Sequence, residues 1–419
     1  MSRFILFSFL ISISTAVMAA KEKPIVILTT FSEGSISQMV SQFQAINPNV
    51  KVDVIFRRNR SAVRLLEREG ASNVDIIISS SSVLFHELEE KGKLLLIDNE
   101  NKTPEWLKPH VLEMSGKVTA FAYSGFGLMY NNEYLKSYNL ASPKTWQDLS
   151  DSKYFNHITM STPARSGTTS LMVENILQNY GWDKGWQLLM KIGGNIAFIS
   201  SRSFGVSEAI SQGLIGAGPV IDNYAINSKR SFDYVDFSYM PKSILMPTYI
   251  AITKDSDAKK ESEKIIDFLL SNKGQELLKT TSITKFSLAQ PELAQKTSVV
   301  LNKELVYERD GLISLLFDQA ITEQLHQLKV TWQSIYQLEK KTDLSQADKR
   351  NLTLVKRYAS KVPVTAQQAQ SSDYLELFNQ TGTAHRLNTA VAEEVRRWQQ
   401  TLSENLVIAN QLINEINQE

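Results

Sequence analysis

Arg165, Ser166, Gly167, Thr168 and Thr169 stand together in residues 161–178, STPARSGTTSLMVENILQ. Directly after them Val173, Ile176, Leu177 and Tyr180 recur at i, i+3, i+4 and i+7, the spacing of one helix face. A polar loop therefore opens into an amphipathic helix. The first amides of a helix lack partners within it and carry a partial positive charge, so the position suits an anion. Gly167 lets the backbone approach, the hydroxyls add donors, and Arg165 can hold two oxygens at once. The same residues also make an ordinary Ser/Thr helix cap. The choice between the two readings depends on what surrounds them.

The elements that position this loop follow from periodicity. Residues 24–30 (PIVILTT) are a short apolar run rich in β-branched residues, the mark of a buried parallel strand, and residues 50–56 (VKVDVIF) and 74–78 (VDIII) read as a second and a third strand. Between them Ile36, Met39, Val40 and Phe43 take helical spacing up to Pro48, and a second helix runs through Val63, Leu65 and Leu66. A third spans 83–91 and stops at Gly92. This β-α-β-α-β order predicts a mainly parallel, doubly wound α/β sheet, in which ligands bind beyond the carboxyl ends of the strands. At those ends stand Ser32, the run Arg57-Arg58-Asn59-Arg60, and the four serines 79–82. Arg58 reads either as part of a basic rim or as solvated surface charge.

Residues 117–131 (KVTAFAYSGFGLMYN) read as a long strand interrupted by Gly125 and Gly127, the form of a chain crossing between two domains. A second α/β unit follows, to about residue 237. It holds the 165–169 loop, a strand at 196–200, the turn Ser200-Ser201-Arg202-Ser203 before a helix, and a strand at 214–221 leading to Asp222-Asn223-Tyr224. A strand at 244–252 and helices through Ile265, Ile266, Phe268, Leu269 and Leu277, Leu278 return to the first unit. Beyond about residue 302 strand patterns vanish. Residues 312–338 read as one long helix, with further helices at 340–356 and 391–418. This all-helical C-terminal appendage is packed on, or extends from, the two-lobed body, either as a rigid part of one lobe or as a module for docking a partner. The expected division is a leader at 1–20, a first lobe at 21–122 and 241–301, a second lobe at 123–240, and a helical extension at 302–419.

Composition narrows the function classes. Residues 1–20 carry one positive charge, Arg3, then an apolar run at 4–18, with Val17 and Ala19 placed as at a cleavage site. That is the pattern of a secretory signal, and the run is short for a membrane span. A soluble exported chain of 399 of the 419 residues is expected. Lys plus Arg total 45 and Asp plus Glu 44, so the surface gives no reason to invoke nucleic acid or an anionic membrane, and any anion site must be local. The chain has no cysteine, which excludes cysteine-linked lipid, disulfides and thiolate chemistry. Export without disulfides suits a bacterial periplasm. His86, His110, His157, His326 and His385 form no HExxH pair, and no GxSxG or GxxxxGK[ST] segment occurs, so neither an enzyme nor a cofactor is expected.

Over about residues 24–288 these segments resemble the type II periplasmic solute-binding proteins of ABC-type transport systems. The likeness rests on the strand-TTFSEG-helix opening, VDIIISSSS, AYSGFGLMYN at the crossing and, most specifically, STPARSGTTS followed by ENILQNYGWDKGWQLLMKIGGN. It is similar to the branch that binds ferric iron, phosphonates and sugar phosphates. The long helical C-terminus is similar to regulatory members of that branch. The resemblance implies a two-lobed fold with an interlobe cleft. Ser32, Ser80 and Ser81 would contact ligand from the first lobe. Arg165, Ser166, Gly167, Thr168 and Thr169 would do so from the second, with Ser203, and Asp222 or Tyr224, as further contacts. Arg58 is added from its charge at a strand end. Iron-binding relatives use adjacent tyrosines. This chain has Tyr224 alone at that point and no Tyr-Tyr pair, so no metal is expected. The resemblance further implies a monomeric periplasmic protein that captures a small phosphorylated acid, phosphoglycerate-like, and closes to signal to a membrane sensor kinase controlling uptake. The alternative is delivery of a phosphonate, sugar phosphate or ferric iron to an ABC permease.

Overall fold

Every residue of Ile25–Thr29 is buried, as a strand apolar on both faces requires. The computed structural model describes residues 23–68, 73–97, 103–112, 116–280, 283–294, 299–379 and 389–418. The expected leader at 1–20 lies outside them. Ile25–Thr29 (β1) pairs in parallel with Val52–Phe56 (β2) and Ile76–Ser79 (β3). Val118–Ser124 (β4) and Met246–Ile252 (β10) complete a sheet of order β2-β1-β3-β10-β4. The second sheet has order β7-β6-β8-β5-β9, from Phe126–Asn131 (β5), Ile158–Met160 (β6), Ile196–Ile199 (β7), Ala217–Ile221 (β8) and Val235–Tyr239 (β9).

Both sheets are mixed. The parallel pairings come from the β-α-β units, whereas β5 and β10 run antiparallel to their neighbours. These antiparallel strands belong to the two crossings, β4 to β5 through Gly125 and β9 to β10 through 240–245. A strand that enters a sheet from the other lobe arrives at the end where the parallel strands finish, so it runs against them. The result is a first lobe built on the β1 sheet and a second on the β5 sheet, with the carboxyl ends of the parallel strands facing the space between.

The C-terminal helices belong to the core of the second lobe. Leu312, Leu316, Phe317, Ile321, Leu328, Trp332 and Ile335 form one apolar cluster with Ile176, Trp186, Leu189 and Ile196. Helix Leu325–Glu339 lies so close to helix Trp182–Asn195 that a Cβ at Gly194 would meet the Trp332 ring at 2.4 Å. The long helix expected at 312–338 is instead two, Lys303–Phe317 and Leu325–Glu339, separated by a π-helical turn, Asp318–Thr322. Ala320 and Ile321 of the turn are buried, and both flanking segments contribute apolar residues to the cluster on the lobe. The helix expected from residue 340 begins later, at Gln346, where Ser345 and Asp348 form a capping box.

Two polar contacts fix helix Lys303–Phe317 to its surroundings. Arg309 pairs with Glu174 of helix Gly167–Tyr180 at 3.1 Å, with both side chains buried. Tyr307 stacks on His86 of the first lobe, centroids 4.0 Å apart. That stack joins residues more than 200 apart in sequence.

Candidate functional site

Between the lobes lies a cavity of about 100 Å³, which suits a small molecule rather than a peptide. Thr30, Phe31, Phe56, Arg58, Asn59, Ser80 and Ser81 line it from the first lobe. Pro163–Arg165, Ser166, Gly167, Thr168, Arg202, Ser203, Phe204, Asn223 and Tyr224 line it from the second, and Asp310 and Ser314 come from helix Lys303–Phe317. Arg58, Arg165, Ser166, Gly167, Thr168, Ser80, Ser81, Ser203 and Tyr224 are thus brought together as the sequence suggests. Ser32, Thr169 and Asp222 do not line the cavity.

Each exception has a local cause. Ser32 occupies the N-cap position of helix Glu33–Ile46. Thr169 is buried, and its amide donates to Ser166 Oγ at 3.1 Å. That capping bond occupies one of the first-turn donors, and the Gly167 and Thr168 amides at the cavity wall have no hydrogen-bond partner among the described residues. Asp222 turns away into the crossing. Its Oδ2 accepts from the Gly125 amide at 2.6 Å and from Tyr239 Oη at 3.1 Å. Burial pushes its carboxyl up to about 6, against the pull of Lys285. Lys285 is itself buried, pushed down to about 8, and donates to Ser124 Oγ at 2.8 Å and to Ser80 Oγ at 3.4 Å. Asp222 and Lys285 therefore tie the crossing strands together behind the cavity.

Helix ends and ring faces set the charged groups. Ser81 caps helix Ser82–Glu90 and accepts from Asn59 Nδ2 at 2.7 Å. The Arg202 guanidinium lies over Phe56 of the opposite lobe at 5.1 Å and over Phe204 at 5.4 Å. Among the described residues Arg58, Arg165 and Arg202 have no carboxylate partner within ion-pair distance. Burial pushes the Tyr224 phenol up to about 12, so it is neutral and a donor at physiological pH.

Sequence reasoning passed over Arg202, Asn59, Asn223 and Asp310. Arg202 carries the same signal that singled out Arg58, a cation in the turn after a strand. Asn223 sits between the two residues that were weighed, and only the start of helix Asp222–Ser231 decides which neighbour faces inward. Asp310 carries no local signal, because it lies inside a helix that follows no strand.

The lobes meet at Gly167. A Cβ there would stand 2.8 Å from Asn59 Nδ2 and 3.2 Å from the Ser81 side chain, both on the first lobe. The Asn59 amide is held by Ser81, so it cannot swing aside without losing that bond. Gly167→Ala is expected to bias the molecule against closure by ~1.4 kcal/mol, about tenfold in ligand affinity. The melting temperature of the unliganded protein should hold or rise, since alanine is the better helix former. Calorimetry beside a thermal melt checks this. Unchanged affinity would show that the lobes do not close at Gly167.

A family model of bacterial extracellular solute-binding proteins matches residues 71–308. The phosphoglycerate transport regulatory protein PgtC of Salmonella typhimurium is 35% identical over 376 residues, covering 88% of this chain and 92% of that protein. A putative 2-aminoethylphosphonate-binding periplasmic protein of the same species is 20% identical, over 62% of this chain and 75% of its own length. Among solved structures, the periplasmic binding protein AfuA from Actinobacillus pleuropneumoniae, with fructose-6-phosphate bound, aligns with TM-score 0.62 at 17% identity, covering 71% of this chain and 98% of that one. The apo ferric ion-binding protein A of Pasteurella haemolytica aligns with TM-score 0.58 at 14% identity, covering 71% and 97%. The solved structures share the two-lobed fold, the family model spans more than half of the sequence, and this chain belongs to the bacterial extracellular solute-binding protein family.

Proposed function

We propose that this protein is exported to the periplasm and captures a small phosphorylated acid, phosphoglycerate-like, in the interlobe cavity. The observation that carries the reading is the convergence of Arg58, Arg165 and Arg202 with the open amides of helix Gly167–Tyr180 in one small cavity. The phosphate docks on the Gly167 and Thr168 amides, with Arg165 supplying charge beside them. Arg58, Ser80 and Ser81 close from the first lobe, and Arg202 spans the two over Phe56. A ligand that touches both lobes binds the closed form better, so it shifts the molecule toward closure. The closed form is then what a membrane sensor kinase controlling uptake reads. That step is supported by the 35% identity to a transport regulatory protein.

The test is calorimetric titration of the chain after refolding to strip carried-over ligand. The panel is 3-phosphoglycerate, 2-phosphoglycerate, phosphoenolpyruvate, hexose phosphates, 2-aminoethylphosphonate, inorganic phosphate and ferric citrate. Micromolar or tighter binding of a phosphorylated three-carbon acid is expected. Binding of ferric citrate alone, or of nothing, overturns the reading.

A further inference from the structure

The cavity is not uniformly basic. Helix Lys303–Phe317 brings a carboxylate, Asp310, into a wall whose other charged side chains are arginines, and places Ser314 one turn beyond it. Asp310 is held there by design of its neighbours. Ser170 Oγ, on the helix whose first turn forms the cavity wall, donates to Asp310 Oδ1 at 2.6 Å. Arg309 beside it is locked to Glu174 of that same helix. The turn Pro163–Arg165 packs on helix Lys303–Phe317 as well, so the carboxylate and the anion loop share one support. A second wall residue, Asn223, is 1% exposed, and its Oδ1 has no hydrogen-bond partner among the described residues. A buried amide oxygen left so costs free energy unless something completes it.

A negative group that faces the cavity repels a bare phosphate dianion. It becomes favourable when the ligand carries a hydrogen-bond donor as well as its anion. We infer that Asp310, with the Asn223 amide, is the selectivity element of the cleft, accepting a hydrogen bond from a hydroxyl or ammonium on the bound phosphorylated acid. This deepens the anion-binding reading above and rests on it. The cleft then selects donor-bearing acids over equally charged ones that lack the donor. Sites built to hydrogen-bond a ligand group discriminate strongly against analogues without it, because the site's own polar groups are left unpaired. The selecting carboxylate lies beyond residue 308, where the family model ends, so the selection belongs to the helical C-terminal part of this chain.

The experiment compares wild type, Asp310→Ala and Asp310→Asn by calorimetry. The ligands are 2-phosphoglycerate and 3-phosphoglycerate (hydroxyl), 2-aminoethylphosphonate (ammonium), and phosphoenolpyruvate and sulfate as anions without that donor. Wild type is expected to favour a donor-bearing ligand over phosphoenolpyruvate. Asp310→Ala should lose about ten- to a hundredfold in affinity for the donor-bearing ligand. Its affinity for phosphoenolpyruvate and sulfate should hold or rise, since a repelling charge is gone. Asp310→Asn preserves the shape and the Ser170 contact, and should show the same pattern with a smaller loss should the alanine variant fold poorly. Preference for the hydroxyl or for the ammonium ligand identifies which donor is read. An equal change across all ligands, or a wild type that ignores the donor, overturns this inference while leaving the anion site standing. A wild type that binds no phosphorylated acid overturns both.

Discussion

Arg309→Ala is expected to lower the unfolding free energy by about 3–5 kcal/mol, the cost of leaving a buried charge without its partner. Glu174 is 2% exposed and Arg309 5%, with their closest atoms 3.1 Å apart. Truncating Arg309 strips Glu174 of its cation in a place water does not reach. It also removes the guanidinium from its position 5.7 Å from the Trp182 ring. The pair is imperfect even when intact, because Glu174 Oε2 and Arg309 Nε have no hydrogen-bond partner among the described residues. Gln178 supplies one further bond, to Glu174 Oε1 at 2.7 Å. Denaturant unfolding followed by tryptophan fluorescence measures the effect, and Trp182 reports from the site itself. A loss under about 1 kcal/mol would show that the pair contributes no more than an exposed one.

The same pair predicts a pH dependence. Burial pushes the Glu174 carboxyl up to about 7, although the Arg309 guanidinium pulls it down. An unfolded glutamate releases its proton near the ordinary value of about 4.3. Between those limits the folded chain binds a proton that the unfolded chain does not, so stability falls as pH rises through the window. Wild type should therefore lose stability relative to Glu174→Gln between pH 4.5 and 7, and run parallel to it at higher pH. A constant difference between the two across that range would contradict the assignment.

Arg165→Ala and Arg202→Ala should each weaken binding of the phosphorylated acid by about ten- to a hundredfold, from charge-assisted hydrogen bonds worth about 1.5–3 kcal/mol. The two losses have different origins. Arg165 stands at the end of the turn Pro163–Arg165, next to the helix amides, so its removal takes charge from the anion alone. Arg202 also lies over Phe56 of the opposite lobe, so its removal weakens the closed arrangement too. Arg202→Lys should rescue little, because a compact ammonium neither spans two oxygens nor stacks on a ring as a guanidinium does. Calorimetry of the single and double variants decides. Affinity unchanged in Arg165→Ala for every anionic ligand would place the site elsewhere.

Much of the fold follows from short-range pattern. The run PIVILTT is apolar on both faces, as a buried parallel strand requires, whereas VKVDVIF alternates with Lys51 and Asp53 and forms the partly exposed edge strand. The helical spacing between them leaves few topologies open. Once the strands are placed, the direction rule for α/β sheets points to their carboxyl ends, where Ser80, Ser81, Arg58 and the 165–168 loop do meet. The crossing at Gly125 was legible because a glycine divides an otherwise continuous strand pattern.

What the pattern could not carry are choices made between neighbours and between distant segments. Asp222, Asn223 and Tyr224 are equally polar and adjacent, and only the start of a helix turns Asp222 toward the Gly125 amide and leaves Asn223 and Tyr224 on the cavity. The Leu312–Leu338 periodicity reads as unbroken, yet packing over Gly193 and Gly194 inserts a π-turn in the observed chain. Asp310 meets Ser170 across 140 residues of sequence, and His86 meets Tyr307 over a still longer interval. By itself the sequence determined the β-α-β units of the first lobe and the strand ends where Arg58, Ser80 and Ser81 gather, because those depend on backbone period and chain direction. Tertiary structure alone decided that a C-terminal helix completes the cavity and which charges it faces, because that depends on side chains packed from segments that share no local signal.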